Sequence, residues 1–282
     1  MPILQEQKSV AQPSPKKAGN EAPLNMVTFD SKAAQSTERS YLTPEIIHQR
    51  TRTLDALALQ AGERILDAGC GTGLLLEQMA ILVGDKGQAV GLDYSPDMLD
   101  MARHRCQSLA HVELQQGSVE KLDFQSNSFD VVSCTQTLLY VEKVETALRE
   151  IHRVLKSRGR VAIIETDWRG VVFNSMDELM TRKILTAWDN AVASPNLPVK
   201  LGELLRKLNF SAIRVEAIPI INASYSDNNF SSGMLKLFVK NAVKQAVISQ
   251  QESDQWQAQV QALVQRDAYF FCVNRFLFTA VK

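Results

Sequence analysis

The chain lacks an excess of charge of either sign: its 282 residues carry 31 Lys and Arg against 31 Asp and Glu. A balanced chain has no long-range attraction to nucleic acid or to an anionic membrane, so polyanionic partners are disfavoured. Long apolar runs are missing too. No stretch approaches the roughly 20 residues of a transmembrane helix, so no span is expected. Cysteine is sparse, and Cys70, Cys106, Cys134 and Cys272 form no Cys-x-x-Cys pair or other ligand spacing. That pattern points away from a metal site or a disulfide framework and toward reduced cytoplasmic thiols. Residues 1–23 mix Gln, Lys, Ser and Pro without periodicity and without the apolar core of a signal sequence. A disordered tail over residues 1–25 is therefore expected, with one domain over 26–282.

What is present is a strand, a glycine-rich turn and a helix. Arg64-Ile-Leu-Asp-Ala ends in Gly69-Cys-Gly-Thr-Gly73, and residues 72–80 carry helix-forming side chains. Glycines on such a turn let backbone approach a ligand, while the helix start offers free N–H donors. A second strand, residues 88–92, ends at Asp93, which lies 24 residues beyond Gly69. Nucleotide folds place a ribose-binding carboxylate at about that separation. The spacing is Gly-x-Gly-x-Gly and not Gly-x-Gly-x-x-Gly, so the glycine that packs a dinucleotide pyrophosphate turn is absent and a ligand without phosphate fits better.

Alternation continues along the chain. Strands are expected at 112–115, 131–135 and 160–166, and helices at 98–106 and 144–155. Thr43-Pro-Glu-Ile-Ile47 offers an N-cap followed by proline at the first helical position, so a helix should precede the first strand. Strand and helix in alternation imply a parallel sheet. Further on, helices are expected at 177–192 and 200–208, strands at 212–221 and 269–281, and a helical insertion near 229–265. Segments 40–60 and about 226–266 are assigned as helical lids over the ligand edge of the sheet.

Several ordered segments carry a family resemblance. Leu66-Asp-Ala-Gly-Cys-Gly-Thr-Gly73 resembles motif I of class I S-adenosylmethionine (SAM) methyltransferases, and Asp93-Tyr-Ser-Pro-Asp-Met-Leu99 resembles the segment after it. Gln116-Gly-Ser-Val-Glu-Lys-Leu122 resembles the acidic loop beside adenine, and Ser128-Phe-Asp-Val-Val132 the fourth-strand signature. Ala147-Leu-Arg-Glu-Ile-His-Arg-Val-Leu-Lys156 resembles the helix before strand five. The likeness runs strongly over residues 41–166 and favours the UbiE-like, arsenite-methyltransferase-like branch.

The resemblance implies an α/β, Rossmann-like sheet of seven mostly parallel strands, the last antiparallel and inserted between five and six, with helices on both faces. It implies SAM as cofactor, S-adenosylhomocysteine as product, and methyl transfer to a small-molecule acceptor. The chain would act as a monomer or homodimer. Asp67, Gly69, Cys70, Gly71, Thr72 and Gly73 would line the methionine and sugar side, and Asp93 would accept the ribose hydroxyls. Tyr94, Ser95 and Met98 would flank adenine, with Ser118, Val119 and Glu120 beside its amino group. Thr135 and Gln136, with Cys134 and Leu139, would face the sulfur end, and Tyr41 would cover the amino-acid end. No base can be named. His48, Tyr140 and Asp167 are weak candidates, and Glu165 and Trp168 lie on the same edge.

Arsenite methylation is disfavoured, because it needs thiols that Cys106, Cys134 and Cys272 do not supply at suitable spacing. An RNA methyltransferase is less favoured for want of a Lys/Arg cluster and of an Asn-Pro-Pro-Tyr or Asp-Pro-Pro-Tyr segment. A SAM-binding cyclase on the same fold remains the alternative, since fold does not fix function.

Overall fold

Short apolar runs alternating with amphipathic segments give a largely βα-repeating chain. The computed structural model describes residues 31–282, so the tail expected over residues 1–25 lies outside the described residues. Helices α1 (Ser31–Tyr41) and α2 (Pro44–Leu57) come first. They are followed by β1 (Arg64–Ala68), α3 (Leu74–Val83), β2 (Gln88–Asp93), α4 (Pro96–Cys106), β3 (Val112–Gln116) and β4 (Phe129–Thr135). Next come α5 (Val144–Val154), β5 (Leu155–Thr166), β6 (Val172–Phe173), α6 (Glu178–Asp189) and α7 (Pro198–Lys207). The chain closes with β7 (Ser211–Asn222), α8 (Phe230–Lys244), α9 (Gln250–Gln265) and β8 (Phe271–Val281).

The sheet runs β3-β2-β1-β4-β5-β8, with β7 on the far edge of β8. Strands β1 to β5 are parallel, and β8 is antiparallel to both β5 and β7. This is the seven-stranded order that the resemblance implied, with the last strand reversed between the fifth and sixth. The two-residue β6 is an addition. It pairs Phe271 and Cys272 of β8, which β7 also pairs, so β6 takes the edge of β8 beyond the point where β5 leaves it at Arg275.

Boundaries moved for local reasons. The helix expected from residue 72 starts at Leu74, because Gly73 adopts the left-handed region at φ 81° and keeps the turn open for two more residues. Strand five begins at Leu155, which the helical pattern had claimed; its backbone turns extended and it pairs Phe129 of β4.

Helix α5 buries Val144, Ala147, Leu148, Ile151 and Val154 in one stripe, the i, i+3, i+4, i+7 spacing of an amphipathic helix. A second core gathers α6, α8 and α9 around Trp168, Trp188, Phe238 and Phe271, all at most 5% exposed. Met234, Leu235, Phe238, Val239 and Ala242 of α8 enter it, so the insertion expected as a lid spends its apolar face on this core.

Candidate active site

The carboxyl ends of β1, β2 and β4 open into a cavity of about 750 Å³, roofed by residues of α1 and α2. That size lies within the roughly 300–1,000 Å³ of small-molecule sites. Its floor is the glycine turn, pinned to β2 by the Gly69 and Cys70 N–H groups donating to the Leu92 carbonyl at 2.7 and 2.9 Å. Gly69 holds φ 84°, and a Cβ there would collide with the Thr137 side chain. Gly71 differs, because a Cβ at that position would meet nothing within 4 Å. One glycine serves packing and the other leaves backbone open to the cavity.

Asp93 ends β2, and its carboxylate joins the two motifs. Oδ2 accepts from the Gly71 N–H at 2.8 Å and Oδ1 from the Ser95 N–H at 2.9 Å. Each carboxylate oxygen can accept a further bond, so capacity remains for ligand hydroxyls. Burial raises its pKa, and the backbone N–H groups of Ser95, Gly71 and Tyr94 oppose that rise. Asp67 lies beneath the turn, 2% exposed, with Oδ1 lacking a partner among the described residues. Burial, with Asp93 nearby, lifts its carboxyl to about 7.

The other sequence-predicted residues fall as follows. Tyr41, Cys70, Thr72, Ser95 and Met98 line the cavity, as do Ser118, Val119, Glu120, Thr135 and Gln136. Tyr94 also lines it while 59% exposed, which puts it at the rim. The Ser118 hydroxyl accepts from the Glu120 N–H at 3.2 Å, and Glu120 Oε1 accepts from the Lys143 N–H at 2.9 Å, so both side chains brace their loop. Gln136 adopts φ 53°, a strained conformation for a residue other than glycine. Its Oε1 accepts from the Thr166 hydroxyl at 2.6 Å, which ties the end of β4 to the end of β5.

Among the weak candidates for a base, only Tyr140 borders the cavity, and burial pushes its phenol well above the ordinary range. His48 is exposed on the outer side of α2, because the helical period turns Ile46, Gln49, Arg50 and Thr53 inward instead. Asp167 opens a short turn, its carbonyl accepting from the Gly170 N–H at 3.2 Å, and lies outside the cavity wall. Cys134, Leu139 and Trp168 are core residues, at most 5% exposed, and do not border the cavity.

Sequence reasoning missed Gln49, Arg50 and Thr53 on α2, Thr137 after β4, and Arg275 on β8, all in the cavity wall. The signal was available. Polar residues on the inward stripe of an amphipathic helix, or a charge on the buried phase of a strand, mark a wall that faces a ligand and not the core. Arg50 is 7% exposed; its Nη1 donates to the Tyr41 carbonyl at 3.2 Å, and its Nε has no partner among the described residues.

Behind the wall, Glu165 is fully buried and accepts from the Thr137 and Leu138 N–H groups at 3.2 and 2.8 Å. Burial raises its carboxyl from 4.5 to about 8, against those donors. A raised carboxyl keeps a proton in the folded state that the unfolded chain gives up. Its stabilising contribution is therefore complete below pH 4.5 and is lost as pH rises through about 8. Denaturant melts across that window should show wild type losing stability more steeply than Glu165→Gln; parallel slopes would place the titration elsewhere.

With this geometry in place, the comparisons with known proteins are specific. A methyltransferase domain model matches residues 59–209. Demethylmenaquinone methyltransferase of Staphylococcus epidermidis is 38% identical over 117 residues, 42% of this chain and 48% of that protein. A protein of unknown function from transposon TN4556 of Streptomyces fradiae is 31% identical over 180 residues, 64% of this chain and 50% of that protein. The chain spans about half the length of these curated relatives.

Among solved structures, phosphoethanolamine N-methyltransferase 2 of Haemonchus contortus, in complex with phosphomonomethylethanolamine and S-adenosylhomocysteine, superposes with TM-score 0.60 at 22% identity. The match covers 90% of this chain and 58% of that one. The cyclase SpnF superposes with TM-score 0.54 at 21% identity, covering 83% and 80%. Fold and motif together define a class I SAM-dependent methyltransferase architecture. The chain belongs to the methyltransferase domain family, and its motif residues place it with the UbiE-like members.

SAM is the cofactor of that family, and the residues present fit it. The open backbone at Gly71 and the spare acceptor capacity of Asp93 border the cavity, and Asp67 Oδ1, Thr72 Oγ1, Thr135 Oγ1 and Arg50 Nε are unpartnered polar atoms buried in the residues that line it.

Proposed function

We propose that the protein transfers a methyl group from SAM to a small-molecule acceptor. One observation carries the reading: a single cavity is lined by Asp93 at the end of β2 and Met98 on α4, by the glycine turn, and by Tyr140 and Arg275. The first of these have the chemistry for a sugar and an amino acid, and the last add room for a further molecule beside them.

Asp93 would hold the ribose diol, with Met98 and Val119 packing against adenine and the Ser118 to Glu120 loop beside its amino group. Arg50 is the natural partner for the methionine carboxylate: it faces the Gly73 end of the turn, where Arg105 donates to the Thr72 carbonyl at 2.9 Å and both arginines feel each other's charge. Tyr41, whose carbonyl holds Arg50, would close the same end. The bound cofactor supplies an electrophilic methyl, so the protein's task is chiefly to align a nucleophile with it and keep water out. Helices α1 and α2 would provide that cover, with α8 and α9 supporting it from behind.

Titrating S-adenosylhomocysteine into the protein tests the cofactor half directly. At about 100 times its dissociation constant the ligand should stabilise the fold by about 2.7 kcal/mol, a rise of roughly 5–11 °C for a chain of this size. No shift and no calorimetric heat would remove the reading. Release of S-adenosylhomocysteine during turnover separates methyl transfer from cyclase chemistry on the same pocket.

A further inference from the structure

Arg275 is a buried cation with no anion. It is 2% exposed, it borders the cavity, and no carboxylate among the described residues comes within the 4.0 Å of an ion pair. Its Nη1 donates to Gln49 Oε1 on α2, and the guanidinium lies 4.9 Å over the Phe230 ring. Its Nε makes no hydrogen bond among the described residues. Nη2, which is not walled in as Nε is, also has no acceptor among the described residues, so the guanidinium keeps a donor for a carboxylate oxygen. Burial draws the guanidinium down to about 10, which leaves it protonated at neutral pH. Glu165, a carboxyl that senses it, is pushed up to about 8 by burial and forms no ion pair with it.

Leaving a buried charge unpaired costs several kcal/mol, so the arginine needs an occupant. The position says which. Arg275 pairs Thr166 across β5, and the order β2-β1-β4-β5-β8 sets its strand four steps from Asp93. At about 4.8 Å per step that is roughly 19 Å across the sheet. The cofactor's own carboxylate has Arg50 on the near side. Arg275 shares the cavity wall with Tyr41 and Tyr140, both of which sense its charge, and its strand lies on the side of the cavity away from Asp93.

We propose that Arg275, held by Gln49, anchors a carboxylate of the acceptor, so that the substrate class is a small organic acid with an apolar body. The inference rests on the methyltransferase reading for the identity of the other half. Phe230 against one face of the guanidinium fixes its plane, and the Gln49 carbonyl fixes its rotation, so the remaining donor is presented in one orientation.

The test uses the full chain with two probe pairs, 4-hydroxybenzoate against 4-hydroxybenzamide and 1-hydroxy-2-naphthoate against its amide, titrated with and without saturating S-adenosylhomocysteine. In wild type the acids should bind at least tenfold tighter than the amides. Arg275→Gln should abolish that preference while leaving S-adenosylhomocysteine affinity within about twofold, and Arg275→Lys, which keeps charge but not the fork, should retain part of it. Should the glutamine variant fail to fold, Gln49→Leu, which frees the guanidinium without removing it, should weaken acid binding and spare amide binding. Equal binding of acid and amide, or binding of neither, overturns the proposal. Loss of S-adenosylhomocysteine affinity in Arg275→Gln also overturns it, because the arginine would then serve the cofactor. Failure of wild type to bind S-adenosylhomocysteine at all instead strikes the methyltransferase reading, and the arms without it still read the acid preference.

Discussion

Asp93→Ala should weaken S-adenosylhomocysteine binding by 100-fold or more. Hydrogen bonds to a charged acceptor contribute about 1.5–3 kcal/mol each, and two ribose hydroxyls converge on this one carboxylate under the proposed reading. Losing both costs about 3 kcal/mol or more, and every 1.4 kcal/mol is tenfold in affinity. The same carboxylate also holds the Gly71 and Ser95 N–H groups at 2.8 and 2.9 Å, so the variant loosens the glycine turn as well. Asp93→Asn separates the two effects. Its amide oxygen can keep one backbone bond while its NH2 cannot accept, so affinity should fall by an intermediate factor. Calorimetry on the three proteins gives the series directly, and an unchanged constant in the alanine variant would mean that no sugar sits at this strand end.

Gly69→Ala should be the most damaging single methyl in the chain. The residue sits at φ 84°, and an added Cβ would run into the Thr137 side chain. A left-handed alanine costs about 1–2 kcal/mol and overpacking typically about 1–3 kcal/mol. Against a total stability of about 5–15 kcal/mol, the combined loss of roughly 2–5 kcal/mol should lower the melting midpoint by about 5–20 °C. Thr137→Ala removes the clashing hydroxyl and methyl, so the double variant should recover the steric part and leave the backbone part. A double variant no more stable than Gly69→Ala alone would show that the turn is not gripped by Thr137. By contrast, Gly71 meets open space, and alanine there should act on ligand binding more than on the fold.

Much of this site was legible because its chemistry is local in sequence. The glycines must sit where the strand turns into α3, and Asp93 must end the neighbouring parallel strand, so residue spacing alone brings them together. The strand order carried less information. That β8 slips between β5 and β7 depends on pairings more than 100 residues apart, such as Arg160 with Val281, which no short pattern contains. The burial of the second expected lid segment was hidden for a related reason. Apolar stripes on α8 and α9 look alike whether they cover a ligand or a core, and here Trp168 and Trp188 claim them. Polar residues within such stripes were the discriminating signal: Gln49, Arg50 and Thr53 on α2, and Arg275 on the inward phase of β8. His48 followed from its imidazole and from its place on a segment expected to overhang the site, whereas helical phase puts its neighbours inside.

The clasp between Asp93, Gly71 and the Leu92 carbonyl has a thermodynamic corollary. Because the turn is already held by four protein-to-protein hydrogen bonds, from the N–H groups of Gly69, Cys70, Gly71 and Gly73, before any nucleoside arrives, association spends little conformational entropy on that wall. The heat-capacity change on binding should then track the apolar area of adenine and methionine removed from water, with little added by chain ordering. A preformed wall of this kind leaves selection between methylated and demethylated forms of the cofactor to the sulfur end, where only one atom group distinguishes them.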